Sequence, residues 1–122
     1  MDKLIDILEK LKNIQGVDFP LATAVYKKRM RKDRKNVFGN LNALYSPKYF
    51  REVRLKIAGD PNPHHNFYLT GLMQDTLSIK AFWVETEAWY YAHLHRRFPE
   101  EVGLGPAEAN AIRRDILRYL GL

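Results

Sequence analysis

Apolar side chains recur at helical spacing along most of this chain. Leu4, Ile7, Leu8, Leu11 and Ile14 advance in steps of three and four, with Asp6, Glu9, Lys10 and Lys12 on the other side. That pattern predicts an amphipathic helix from Asp2 to Gln15, stopped by Gly16. Asp18 is placed to cap a second helix, and Pro20 fits its first turn. Leu21, Ala22, Val25, Tyr26 and Met30 form the apolar stripe of that helix, and Thr23, Lys27, Arg31 and Arg34 its outer face. Asn36 to Asn40, with Gly39, reads as a loop.

Ser46-Pro47 is a helix-start signal, and Tyr49, Phe50, Val53 and Ile57 continue at helical spacing toward Gly59. Val53, Leu55 and Ile57 also alternate with Arg54 and Lys56, the signature of a half-buried strand. The Ser-Pro start favours the helix. Asp60-Pro61-Asn62-Pro63 is the clearest break in the chain.

Between Asn66 and Phe98 there is no proline and only Gly71. Leu69, Met73, Leu77, Ala81, Val84, Ala88, Tyr91 and Phe98 make one helical stripe, which predicts a long helix. Phe82, Trp83, Trp89 and Tyr90 lie off that stripe, so the helix would be central in the domain or shared with another subunit. The alternative is a pair of short strands, around Phe67 to Leu72 and Leu77 to Thr86. Pro106 opens a last helix, with Ala109, Ile112, Ile116, Tyr119 and Leu120 inward, Asn110, Arg114 and Arg118 outward, and Gly121 ending it. The expected fold is therefore mostly α: a single domain over residues 1–122, a bundle of four to six helices. An α+β domain with a small antiparallel sheet from residues 51–86 is the alternative.

Charge changes this picture most. Lys27 to Lys56 holds Lys27, Lys28, Arg29, Arg31, Lys32, Arg34, Lys35, Lys48, Arg51, Arg54 and Lys56 against only Asp33 and Glu52, a net of +9. The whole chain carries +6, so the other 92 residues sum to −3. A slightly acidic protein with one basic block has a polarised surface, and a polyanion is its natural partner. Seven cations fall between Lys27 and Lys35, and such a cluster repels itself unless a counter-charge relieves it. Lys27, Lys28, Arg31, Arg34, Lys35, Lys48, Arg51 and Arg54 are the candidate phosphate contacts. Tyr26, Phe38, Tyr45, Tyr49 and Phe50 are interleaved with the charges, and rings beside cations are what single strands and RNA loops stack upon.

Other chemistries find less support. The chain has no cysteine, which excludes disulfides, zinc knuckles and thiol nucleophiles. His64 and His65 adjoin Asn66 in the proline-rich break, and His93 and His95 lie two apart, so on a helix they diverge. Their spacing is not that of a metal-dependent nuclease, and neither a metal, a cofactor nor a catalytic residue is expected. Glu101 to Leu104, then Pro106 and Ile112-Arg113-Arg114, resembles the turn and second helix of a helix-turn-helix. The net charge of −1 from Pro99 to Leu122 favours a packing helix instead.

Charge interrupts the first residues, and no segment reaches the ~20 uncharged residues of a membrane span. The expectation is a soluble cytoplasmic protein without a membrane partner. Its expected function is that of a non-enzymatic nucleic-acid-binding accessory protein, self-associating through the aromatic segment Phe82 to Tyr91. An adaptor that meets an acidic protein partner is the alternative, and a small metal-dependent nuclease a third.

Overall fold

The computed structural model describes residues 2–68, 71–81 and 83–122. The first helix, α1 (Asp2–Lys12), ends one turn before Gly16, and a 3₁₀ turn over Ile14–Gly16 follows. None of its residues is buried: Leu4, Ile5, Leu8 and Leu11 all face outward. The Tyr119 hydroxyl ties it to the rest of the chain by donating to the Lys10 carbonyl at 2.9 Å.

Helix α2 (Pro20–Lys28) carries the core. Ala22, Tyr26 and Met30 are fully buried, packed with Phe19, Met73, Leu77, Ile79, Ala88 and Ala111. Asp18 does not cap α2. It pairs with Lys80 at 2.9 Å and accepts from the Ser78 hydroxyl at 3.3 Å. The cap comes from the far end of the chain, where the Asp115 carboxylate accepts the Leu21 N–H at 3.2 Å and the Ala22 N–H at 2.8 Å. These are first-turn donors with no partner inside the helix.

The last helix, α7 (Pro106–Tyr119), lies along α2. Its most buried positions are Glu108, Ala111 and Asp115, one helical face with an acid at each end. Ala109, expected inside, is exposed, and Ile112 and Ile116 are half-buried. Gly121 closes the helix in the left-handed region, with φ of 77°.

Beyond Lys28 the chain continues as a wide π-type turn over Arg29–Asp33 and stops at Arg34, which has a left-handed φ of 51°. After the 36–40 loop come α3 (Pro47–Tyr49) and a second wide helical turn over Phe50–Leu55. The Ser46 hydroxyl caps α3 by accepting from the Tyr49 N–H. The strand alternative for 53–57 is not realised, and Leu55 and Ile57 are both exposed.

The long helix over Asn66 to Phe98 does not form. In its place stand α4 (Leu72–Asp75), a hairpin of β1 (Ser78–Ile79) and β2 (Val84–Glu85), and α5 (Tyr91–Arg97). The hairpin register pairs Ser78 with Glu85 and Ile79 with Val84. Local chemistry explains the break. Phe67 and Gly71 both have positive φ, which no right-handed helix contains. The Thr76 hydroxyl takes the Leu72 carbonyl and accepts the Glu87 N–H, while the Thr86 hydroxyl takes the Met73 carbonyl. Such side-chain bonds offer the backbone an alternative to the helical ladder. Both strands come from the Leu77–Thr86 run. Phe67 and Tyr68 are in no strand, Leu72 begins α4, and Leu69, Thr70 and Phe82 lie outside the described residues.

A short α6 (Pro99–Val102) leads into α7. The fold is mostly α with one small antiparallel ribbon inside the 51–86 stretch. Among the described residues no helix is long and apolar enough to cross a membrane.

Candidate functional site

The basic run divides into cations held inside and cations left outside. Arg29 is 8% exposed and directs its guanidinium at Glu108, with Nε 2.7 Å from Oε1. It also donates to the carbonyls of Lys35, Glu101 and Gly103. Arg34 and Arg54, expected on the outer phosphate track, are buried as well, and both converge on Asp60. Arg34 grips that carboxylate through Nη2 at 2.8 and 2.9 Å and donates through Nη1 to the Asn62 and His64 carbonyls. Arg54 reaches Asp60 Oδ2 at 2.7 Å, Asn66 Oδ1 at 2.7 Å and the Tyr68 carbonyl at 2.8 Å. These two arginines are structural. They pin the 60–68 segment to the end of the turn that follows α2 and to the turn after α3.

Asp60 shows the balance of forces. Burial alone would raise its carboxyl, but the hydrogen bonds from Arg34 and Arg54 and from the Asn62 N–H outweigh that and hold it below the ordinary carboxylate range.

Lys28, Arg31, Lys32, Lys35, Lys48, Arg51 and Lys56 remain exposed, and Lys27 is half-buried. Lys28 makes an exposed pair with Asp33 at 3.3 Å, of the kind that contributes little. With Asp33 and Glu52 as the two acids of the run, eight outer cations leave a net of +6 outside.

An aromatic cleft of about 820 Å³ adjoins this surface. One wall comes from the start of α3, with Tyr45, Ser46 and Tyr49. The 65–68 segment supplies His65, Phe67 and Tyr68, and the region from Trp89 through α5 supplies Tyr90, Leu94, Arg97 and Phe98. The rings form a connected series: Tyr49 to Tyr45 at 5.3 Å, Tyr45 to His65 at 4.7 Å, His65 to Phe98 at 5.1 Å between centroids. These are spacings of favourable tilted and edge contacts. Cations lie against the same rings, with Arg31 3.7 Å from the Tyr68 centroid, Arg54 5.0 Å from Tyr45 and Arg97 5.3 Å from Phe98. Burial raises the Tyr45 phenol, opposed by the hydrogen bond from the Asn66 N–H. Trp89 is 87% exposed and touches Tyr90 edge-on at 5.6 Å.

Phe67 takes part in the lining with a left-handed φ of 57°. For a bulky side chain that is a strained conformation, held only where the surroundings over-determine it. Here Phe67 is fixed between His65 and Phe98.

The other candidates disperse. His64 Nδ1 is 2.6 Å from the Asn42 carbonyl. His65 sits among rings with Nδ1 3.3 Å from the Glu101 carboxylate. His95 lines a separate groove of about 350 Å³ with Tyr91 and Arg96. Among the described residues no three His, Cys, Asp or Glu side chains gather as metal ligands would. Glu101, Val102 and Gly103, the helix-turn-helix-like turn, are buried, and the Glu101 carboxylate accepts the Ala43 N–H at 2.8 Å.

The aromatics named from sequence also separate. Tyr45 and Tyr49 line the cleft, Tyr26 is core, and Phe38 is exposed on its loop. In the Phe82 to Tyr91 segment, Trp83 and Trp89 are exposed while Tyr90 and Tyr91 are half-buried. No local pattern announces the cleft as a unit, but the cation–aromatic interleaving at Tyr45 and Tyr49 marks one of its walls. No protein-family model, curated protein or solved structure matches the chain.

Proposed function

We propose that this is a small, non-enzymatic nucleic-acid-binding protein that holds phosphates with the outer cations of the Lys27–Lys56 run. The observation that carries this reading is where the buried arginines find their counter-charges. Glu108 pairs with Arg29, and Asp60 is shared by Arg34 and Arg54, and both acids come from outside the run. The outer cations therefore keep their excess, and Lys27, Lys28, Arg31, Lys35, Lys48 and Arg51 are the phosphate contacts. Long cationic side chains around an aromatic cleft suit a flexible polyanion that also has planar groups to stack.

Filter binding to single- and double-stranded DNA and RNA tests it. Replacing Lys27, Arg31 and Lys48 together with glutamate abolishes binding and leaves the helical circular dichroism intact. Undiminished binding by that variant contradicts the reading.

A second reading, an adaptor for an acidic protein, draws on α1, whose Leu4, Ile5 and Leu8 stay exposed. Exposed apolar side chains in a row mark protein contacts. A pull-down treated with nuclease separates the two: a protein partner retained after digestion favours the adaptor, and one lost favours nucleic acid.

A further inference from the structure

We infer that the aromatic cleft is a stacking site for an unpaired nucleobase, so that the protein selects single strands over duplexes. The inference rests on the nucleic-acid reading above and names what that reading leaves open: which form of nucleic acid, and what is held besides phosphate.

Size comes first. At about 820 Å³ the cleft lies within the roughly 300–1,000 Å³ range of small-molecule sites. Its walls are rings on every contributing segment, and no aspartate or glutamate lines it. The acids that meet the lining residues are not themselves part of it: Asp60 lies 2.7 Å from Arg54, Asp75 accepts from the Tyr68 hydroxyl at 3.2 Å, and Glu101 lies 3.3 Å from His65 Nδ1. Aromatic cages that capture ammonium groups need a surround that tolerates positive charge. This one is bordered by Arg31, Arg54 and Arg97 instead. A ligand that is flat, apolar on its faces and attached to negative charge matches that combination, and a nucleotide is such a ligand.

Two details strengthen the match. Trp89 presents its indole almost wholly to solvent at the cleft, with only an edge contact to Tyr90. Its free faces are a platform of the type on which bases stack regardless of sequence. Arg54, part of the lining, is fixed by Asp60, Asn66 and the Tyr68 carbonyl and holds its guanidinium beside the Tyr45 ring, a positive charge next to the stacking faces.

Strandedness follows from geometry. Bases in a duplex are paired and stacked on one another, so only an unstacked base can reach rings inside a cleft.

The test uses Trp83→Phe protein, in which Trp89 is the sole indole. Emission is followed while an oligothymidylate, its duplex with oligoadenylate, or a nucleoside monophosphate is added. The expected results are quenching by the single strand and the mononucleotide, and tighter binding of the single strand than of the duplex. In otherwise wild-type protein, Trp89→Ala and Tyr49→Ala each weaken single-strand binding roughly ten-fold or more, leaving duplex affinity and circular dichroism unchanged. Single-strand and duplex binding that both survive Trp89→Ala and Tyr49→Ala, yet vanish on reversing Lys27, Arg31 and Lys48, overturn the cleft and keep the phosphate face. Quenching that survives the charge reversal supports the cleft and removes the phosphate face. Absence of any nucleic-acid binding overturns both.

Discussion

The guanidinium of Arg31 lies 3.7 Å from the centre of the Tyr68 ring. This contact joins the two surfaces on which function is argued. Arg31 is an exposed member of the basic run, and Tyr68 lines the aromatic cleft. Lys48 makes a similar link through the backbone, standing between Ser46 and Tyr49 of the cleft wall. A strand held by its phosphates on this side would have its bases close to the rings.

The pair Arg29–Glu108 governs stability. Glu108 is fully buried, and its Oε2 has no partner among the described residues. Glu108→Ala leaves the Arg29 charge buried and unpaired, a change that costs about 3–5 kcal/mol. Urea unfolding should show that loss, a large fraction of the 5–15 kcal/mol typical of a whole domain. Adding Arg29→Met recovers only part, because the Lys35, Glu101 and Gly103 carbonyls then lack their donor. A single variant within 1 kcal/mol of wild type, roughly a surface effect, would show that the pair is dispensable.

Asp60 sets the acid limit. Its carboxyl is held below the unfolded value of 3.8, so the native state holds fewer protons than the unfolded chain through that range. The stability it contributes is complete above the unfolded value and is lost as pH falls through the lower folded one. The melting temperature of wild type therefore drops across this acid window, and Asp60→Asn, already destabilised at neutral pH, shows a flatter acid limb. Parallel pH curves for the two proteins would refute the assignment.

Tyrosines set the alkaline limit. Burial raises the Tyr26 phenol, the neighbouring Tyr91 raises it further, and burial likewise raises Tyr91 and Tyr45. The folded protein thus keeps protons that the unfolded chain releases near pH 10, and the associated stability is present below that pH and lost above it. Spectrophotometric titration should show Tyr26 ionising only as the helical signal collapses, with Tyr91 and Tyr45 ionising later than an exposed phenol. Smooth titration of all seven tyrosines in folded protein would contradict this.

The sequence was most legible where side chains act locally. Ser46-Pro47 started a helix, Gly121 ended one, and Ala22, Tyr26 and Met30 made a buried stripe, as their spacing predicts. It was least legible where a distant partner decides. Nothing local to α7 marks Asp115 as a cap, because the N–H groups it accepts belong to the first turn of α2. Arg34 and Arg54 belong by spacing to a solvated basic track, but Asp60 draws both inside. The 66–98 run misleads for another reason: its apolar period fits a helix, while Thr76 and Thr86 capture the backbone for a turn. The cleft follows the same logic, since Tyr45, His65 and Phe98 meet only after three separate segments fold together.

The salt dependence of single-strand binding tests the central claim most directly. For wild type, the logarithm of the affinity should fall linearly with that of the salt concentration, and Lys27→Ala, Arg31→Ala and Lys48→Ala should each reduce the slope by about 0.7. A slope near zero, or one that none of the three substitutions changes, would mean that these cations do not hold phosphates.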